Sequence, residues 1–430
     1  MKINKKVFFQ IHSWIGLRLS ILFFIVCFSG TLATLSHEMD WLFFPESRAV
    51  HQDQKVSFQV RVDKLQAAYP DGQFSNYFSA EEPYLCDYAQ VILDGKRRFV
   101  FVNPYTGEIQ GDQLLTFRRF FRDFHYFLFI PFQIGHFTVL LFGFILFASL
   151  MTALLFYKKW WRKLFKLNIG KGKVAFYKSL HMLVGTWSVP FAILFSVTGI
   201  WYFVERTNLG GVSSIANFKR PEIEAVAVAD SVFTQFIYDI DYNRSIAVAE
   251  QVVPGLKVMD ILVPSNQEKP IYLSGKSDVP LVRNRANQVF LHPQTYEVIK
   301  VRNAQETGAI TWLNDIADPL HFGTWGGLIT KVIWFFGGLG ISTLVLTGIW
   351  IALKRKMKNK KLAQVKYRGF WKFFTWIIIS AMTFCLYGYL TIYYAMPWEV
   401  IAFITVILGI FAYLGWYLFV AKLKAPSSVK

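Results

Sequence analysis

Six stretches of the chain stay apolar for about twenty residues or more: 15–36, 137–157, 182–204, 332–353, 370–394 and 398–421. Each is long enough for an α-helix to cross a hydrocarbon core about 30 Å thick. Between the first and second runs, and between the third and fourth, the period changes. Segments 37–124 and 205–320 alternate apolar with polar residues around Pro- and Gly-containing turns, the mark of strands and hairpins. The pattern predicts an α-helical polytopic membrane protein: six transmembrane helices with two small α+β insertions. The opening "MKINKK" before an apolar run has the form of a cleaved signal peptide. The run is longer than a usual signal core, however, and its like recurs mid-chain at 181–203, so a membrane helix is the better reading.

Charge then orients the helices. The chain carries 46 Lys and Arg against 28 Asp and Glu, a net charge of +18. Segments 1–11, 158–180, 354–368 and 422–430 hold Lys and Arg but not one Asp or Glu, whereas every acid except Glu399 falls in the two insertions. Basic loops stay cytoplasmic during insertion, so both termini are expected inside and both insertions outside. The basicity is thus a topology signal and excludes a nucleic-acid footprint. A composition of 54% hydrophobic and 18% aromatic residues agrees with a membrane protein. Cys27, Cys86 and Cys385 have no metal-type spacing and read as structural.

The chain is also written twice. "IHSWIGLRLSILFFIVCFSG" at 11–30 returns as "LHMLVGTWSVPFAILFSVTG" at 180–199, with His12, Gly16 and Gly30 spaced as His181, Gly185 and Gly199. The hairpin "VFVNPYTGEI" at 100–109 returns as "VFLHPQTYEV" at 289–298, and "RDFHYFLF" at 122–129 as "DPLHFGTW" at 318–325. The repeating unit is helix, insertion, helix. This divides the chain into 1–36 (N-terminus and first helix), 37–124 (first insertion), 125–157 (second helix), 158–180 (basic loop) and 181–204 (third helix). After these come 205–320 (second insertion), 321–353 (fourth helix), 354–369 (basic loop), 370–421 (a His-free helical hairpin) and 422–430 (tail). "GGLG" at 337–340 reads as a place where helices approach closely.

Four histidines share the repeat. His12 and His181 stand near the inner face, at the starts of the first and third helices; His125 and His321 stand near the outer face, before the second and fourth. One such His means little, but four at equivalent places do, because ionisable groups near hydrocarbon are costly and mark function. Neutral imidazoles from two helices are a standard way to hold haem iron. By depth, His12 pairs with His181 and His125 with His321, giving two b-type haems and an electron path across the bilayer. His136 is an alternative outer ligand, eleven residues after His125, with Pro131 breaking the helix between them. Near its repeat position stands Lys331, not a histidine. His37 has no mate, His51 reads as a surface residue, and His292 replaces Asn103 as a turn residue. Arg18 suits a haem propionate or a lipid phosphate equally, and Arg122, with Arg118 and Arg119, a propionate or an interfacial anchor.

Three of these segments, "HSWIGLRLSILFFIVCFSGTLATLSHEMD", "HMLVGTWSVPFAILFSVTGIWYFVE" and "LHFGTWGGLITKVIWFFGGLGISTLVLTGIW", resemble the PepSY-associated transmembrane proteins of bacterial inner membranes. "VFVNPYTGEI" is similar to the closing strands of the PepSY module. The resemblance covers about residues 8–355 and implies two PepSY-like periplasmic domains. Members include ferric-siderophore reductases and iron-uptake factors, and the reductases carry two b-type haems on transmembrane histidines. His12, His125, His181 and His321 match the recurring histidines of the family's four helices.

The expectation is a di-haem b oxidoreductase of the inner membrane that reduces a periplasmic acceptor, foremost a ferric siderophore or other ferric chelate. Ferrous iron binds hard oxygen chelators less well, so one electron releases the metal. With no nucleotide or flavin motif in the chain, the donor is expected to be quinol or a separate cytoplasmic reductase. The rival expectation is a haem-free membrane scaffold whose PepSY-like domains bind or regulate periplasmic proteins or peptidases.

Overall fold

A computed structural model describes residues 4–157, 160–224, 239–264, 268–358 and 370–421. Helices α1 (Lys5–Arg18), α2 (Ser20–Thr34), α3 (Ser36–Phe43) and α4 (Phe58–Ala68) precede β1 (Gln73–Phe78), β2 (Asp87–Leu93), β3 (Lys96–Val102) and β4 (Ile109–Gln113). Then come α5 (Phe117–Phe127) and α6 (Phe132–Phe156). The order repeats with α7 (Lys173–Trp187), α8 (Val189–Arg206), α9 (Val212–Ala216), α10 (Tyr242–Val252), β5 (Lys257–Leu262), β6 (Ile271–Lys276), β7 (Asn287–Leu291), β8 (Val298–Arg302), α11 (Ala309–Phe322) and α12 (Gly327–Lys358). Helices α13 (Phe370–Gly388) and α14 (Trp398–Trp416) follow. Two compact units result: a helical one of residues 1–33, 121–200 and 334–430, and a sheet unit of 34–120 and 201–333. Most of the basic loop 354–369 and the tail 422–430 lie outside the described residues.

Among the described residues, five helices are long and apolar enough to cross a membrane: Phe132–Phe156, Val189–Arg206, Thr324–Arg355, Phe373–Tyr393 and Trp398–Phe419. A sixth is counted if α1 and α2, bent by 74° about Leu19, form one span. The straight first helix expected from the apolar run is therefore broken. The repeat preserves the break: Leu19 lies seven residues after His12, and Ser188, which separates α7 from α8, seven after His181. At the second break Pro190 enters the first turn of α8, where it leaves the Thr186 carbonyl without an i+4 donor. Leu22, Phe23 and Val26 of α2 pack with Phe142 of α6, Val345 of α12 and Met382 of α13. "GGLG" acts as read: a Cβ at Gly337 would collide with the ring of Phe191, and one at Gly338 with the Thr31 hydroxyl. The C-terminal hairpin is unequal. Helix α13 joins the core, whereas α14 buries no residue of its own.

The two insertions were expected as separate small domains. Instead their strands form one antiparallel eight-stranded sheet, ordered β4-β3-β2-β1-β5-β6-β7-β8. The seam is β1 on β5, with Asn76 opposite Leu262 and Phe78 opposite Asp260. Alone, each four-stranded half would expose β1 or β5 as an edge; pairing covers those two and leaves β4 and β8 at the ends of the sheet. Alternate residues, among them Tyr77, Ala89, Val100, Ile261, Leu273 and Val289, bury one face against α4 and α10. The duplicated hairpin also keeps its turn. Asn103 accepts the N–H of Tyr105 at 2.9 Å, and His292 accepts those of Gln294 and Thr295 at 3.3 and 3.2 Å through Nδ1. Gly107 takes a φ of 72° where its counterpart Tyr296 takes 64°. That conformation is costly for a tyrosine, and its buried hydroxyl compensates by accepting the Asp241 N–H at 2.8 Å.

Candidate functional site

Helices α1 and α7 bring His12 and His181 together, with ring centroids 6.4 Å apart and planes crossing at 76°. Each ring is held from behind by another helix. His12 Nδ1 lies 3.0 Å from the Ser149 carbonyl of α6, and since a carbonyl only accepts, Nδ1 carries the proton. His181 Nδ1 lies 2.9 Å from the Thr347 hydroxyl of α12. That hydroxyl already donates to the Thr343 carbonyl at 2.8 Å, so it accepts from His181. Both imidazoles therefore keep the Nε2 lone pair free, the tautomer a metal-ligating histidine needs.

His125, near the C-terminal end of α5, follows the same rule in the helical unit. Its Nδ1 donates to the Val26 carbonyl at 3.0 Å, with the Ser29 hydroxyl at 3.3 Å. Its ring rests on Gly30, where a Cβ would stand 2.7 Å from Cε1. His321 belongs to the sheet unit, near the end of α11, with its ring 5.4 Å from that of Tyr202. Helix α11 is anchored there by charge. Arg283 binds Asp315 at 3.0 Å and Asp318 at 2.8 Å, Arg302 binds Asp315 at 2.5 Å, and the Tyr202 hydroxyl donates to Asp318 at 2.9 Å.

The remaining candidates are placed differently. His136 is buried, its ring stacked on Phe132 and its Nδ1 donating to the Tyr126 carbonyl at 3.2 Å. It thus satisfies a carbonyl at the end of α5, after Pro131 has broken the helix and begun α6 as its N-cap. Arg122 is exposed, its guanidinium 6.0 Å from the centroid of Tyr126. Arg18 lines a depression with Phe9, Gln10, Ser13, Trp14, Leu17 and Arg355, a set that does not include His12. His51 is exposed and bonds the Tyr105 hydroxyl at 2.9 Å. Among the described residues no group of three or more His, Cys, Asp or Glu gathers as a metal site.

The family described as the PepSY-associated TM region matches residues 9–355. The chain belongs to that family. The match takes in all four repeated histidines of this PepSY-associated protein, both insertions and their sheet, and stops before α13 and α14. No curated protein matches the chain.

Sequence reasoning missed the groups that orient the rings. Ser29–Gly30 cradles His125, and Thr347–Gly348 cradles His181, where a Cβ on Gly348 would lie 3.4 Å from Cε1. The signal was a small hydroxyl residue before glycine in an apolar run. It also missed a charged cluster in the sheet unit of the PepSY-associated protein. Buried Lys331 is clasped by Glu38 at 2.6 Å and Glu82 at 3.1 Å, and Tyr84 donates to Glu38 at 3.3 Å. Beside it His37 is held neutral, its pKa pushed well down by burial and by the charges of Arg118 and Lys331.

Proposed function

We propose that this PepSY-associated protein is a di-haem b oxidoreductase of the bacterial inner membrane that passes electrons to a ferric siderophore or other ferric chelate in the periplasm. The observation that carries the reading is the inner histidine pair. The His12 and His181 rings, with centroids 6.4 Å apart, are the residues that would hold one haem iron. Their Nδ1 protons are committed to Ser149 and Thr347, which leaves Nε2 of each for iron. The residues thus fit the group. A haem bound there supplies one-electron chemistry, and the chain's part is to hold the rings, exclude water and set the potential through burial and hydrogen bonds. His125 and His321 are the proposed outer ligands. His125 shares the tautomer of the inner pair, which supports its place in the set; His136, whose Nδ1 likewise donates to a carbonyl, is the alternative outer ligand.

In this reading the termini are cytoplasmic, the sheet unit is periplasmic, and electrons arrive from quinol or a cytoplasmic reductase. The test is the optical spectrum of purified full-length protein. Wild type should show a Soret band and the reduced α-band of bis-imidazole haem. His12→Ala and His181→Ala should lose one haem, and His125→Ala and His321→Ala the other. A colourless protein from haem-replete cells would leave the scaffold reading in its place.

A further inference from the structure

The C-terminal helices follow the family region, yet one of them grips α5 beside His125. Within the helical unit, α13 runs into a π-helical turn, Tyr389–Tyr393, closed by the Tyr394 N–H donating to the Tyr389 carbonyl at 2.9 Å. A bond over five residues sets Tyr394 above Tyr389, with ring centroids 6.3 Å apart. In a regular α-helix, residues five apart diverge by about 140°. The π-turn therefore brings two tyrosines to one side, and both meet α5. The Tyr394 hydroxyl donates to Asp123 at 2.5 Å, and the Tyr389 ring stands 5.7 Å from that of Phe127. Asp123 is 2% exposed, a depth at which a carboxylate needs hydrogen-bond donors.

Helical geometry says what this grip does. Asp123 and Phe127 stand at i and i+4 and share a face of α5, whereas His125 lies about 200° round from each. On that other side, His125 Nδ1 donates to the Val26 carbonyl of α2 at 3.0 Å. The end of α5 is thus held from two sides, by α13 at Asp123 and Phe127 and by α2 at His125. The chain that follows is strained. Leu128 and Phe129, both buried, take φ of 57° and 56°, which residues with a Cβ adopt under constraint from their surroundings. Tyr389 supplies such constraint, its ring 5.9 Å from that of Phe129. An anchor in lipid needs neither a π-turn nor a bond to a buried carboxylate. We infer that Tyr389 and Tyr394 are positioning residues, which press α5 against α2 and so fix where His125 presents its ring. The grip exists without haem; its effect on iron rests on the proposed ligation by His125.

Two measurements on the full-length protein test this, and one of them, amide hydrogen exchange, needs no haem. Tyr394→Phe keeps the ring and loses the donor. It should raise exchange over 121–129 and leave α7 unchanged. In haem titration of the apo-protein, it should weaken by about tenfold the centre that His125→Ala removes, and leave the other as it was. Tyr413→Phe on α14 should change neither readout. Should Tyr394→Phe fail to fold, Tyr389→Leu, which keeps the hydroxyl bond to Asp123 and removes the ring, is read in the same way. Unchanged exchange over 121–129 overturns the grip. Raised exchange with both centres intact overturns the positioning role, as does equal weakening of both. A wild type that takes up no haem defeats the reading of His125 as a ligand and leaves exchange to decide the grip alone.

Discussion

Thr347 accepts the Nδ1 proton of His181 across 2.9 Å because its own hydroxyl proton is already given to the Thr343 carbonyl. The bond makes Thr347 a positioning residue, fixing both the tautomer and the aim of the ring. Valine has nearly the same shape and no acceptor. Thr347→Val should therefore weaken haem affinity at the inner pair by about tenfold or more, read by haem titration of the apo-protein. Thr347→Ser should restore it. Unchanged affinity and spectrum in Thr347→Val would remove the bond from any role.

Gly30 gives a way to disturb His125, the proposed outer ligand, without touching it. Its missing side chain is where the His125 ring sits, 2.7 Å from an ideal Cβ. Gly30→Ala must push the ring away from the Val26 carbonyl, at a cost of about 1–3 kcal/mol in strain. The expected result is a folded protein with haem stoichiometry reduced from two towards one and the inner centre intact. Full stoichiometry with an unshifted spectrum would place the outer iron elsewhere.

Asp40 caps α5 from a distance. Its carboxylate oxygens accept the Phe117 N–H at 2.6 Å and the Arg118 N–H at 3.2 Å, the donors a helix N-terminus leaves free. Asp40→Ala should cost about 1–2 kcal/mol of stability. It should also raise amide hydrogen exchange over the first turn of α5, while leaving α11, the repeat counterpart, protected. Uniform destabilisation without that local signature would mean the contact is incidental.

Asp260 on β5 predicts a pH dependence. Burial raises its pKa from 3.8 to about 6, against the opposing hydrogen bonds from Asn284 and Ser274. The folded state thus keeps a proton that the unfolded chain has already released. Stability falls as pH rises from about 4 to about 6, by up to about 3 kcal/mol. Asp260→Asn cannot ionise, so its melting temperature should exceed that of wild type at pH 7.5 and converge with it near pH 4. A constant difference between the two across that range would contradict the assignment.

Much was legible because lipid imposes strict periodicity. The apolar runs at 137–157, 332–353, 370–394 and 398–421 became helices close to those limits. The duplication carried His12 and His181 to equivalent breaks, and Asn103 and His292 to the same turn. The first helix was less legible: hydropathy measures the length of an apolar run and does not register a 74° bend at Leu19. The union of the two insertions was hidden for another reason. An edge strand reads the same whether water or another strand lies beside it, so nothing in β1 or β5 announced their pairing. Arg18 offers a third case. Its charge was visible, but its neighbour Arg355 is supplied only by packing.

By itself, the sequence determined where apolar segments of membrane-crossing length lie, which loops are basic, and that imidazoles recur at matched positions in two repeats. These are one-dimensional properties, set by composition and spacing along the chain. The tertiary structure alone decided that His12 and His181 meet at 6.4 Å, that Ser149 and Thr347 hold their Nδ1 protons, and that eight strands form one sheet. The physical reason is that hydrogen bonds and ring contacts act over a few ångströms between residues more than a hundred positions apart, and only packing brings such residues within reach.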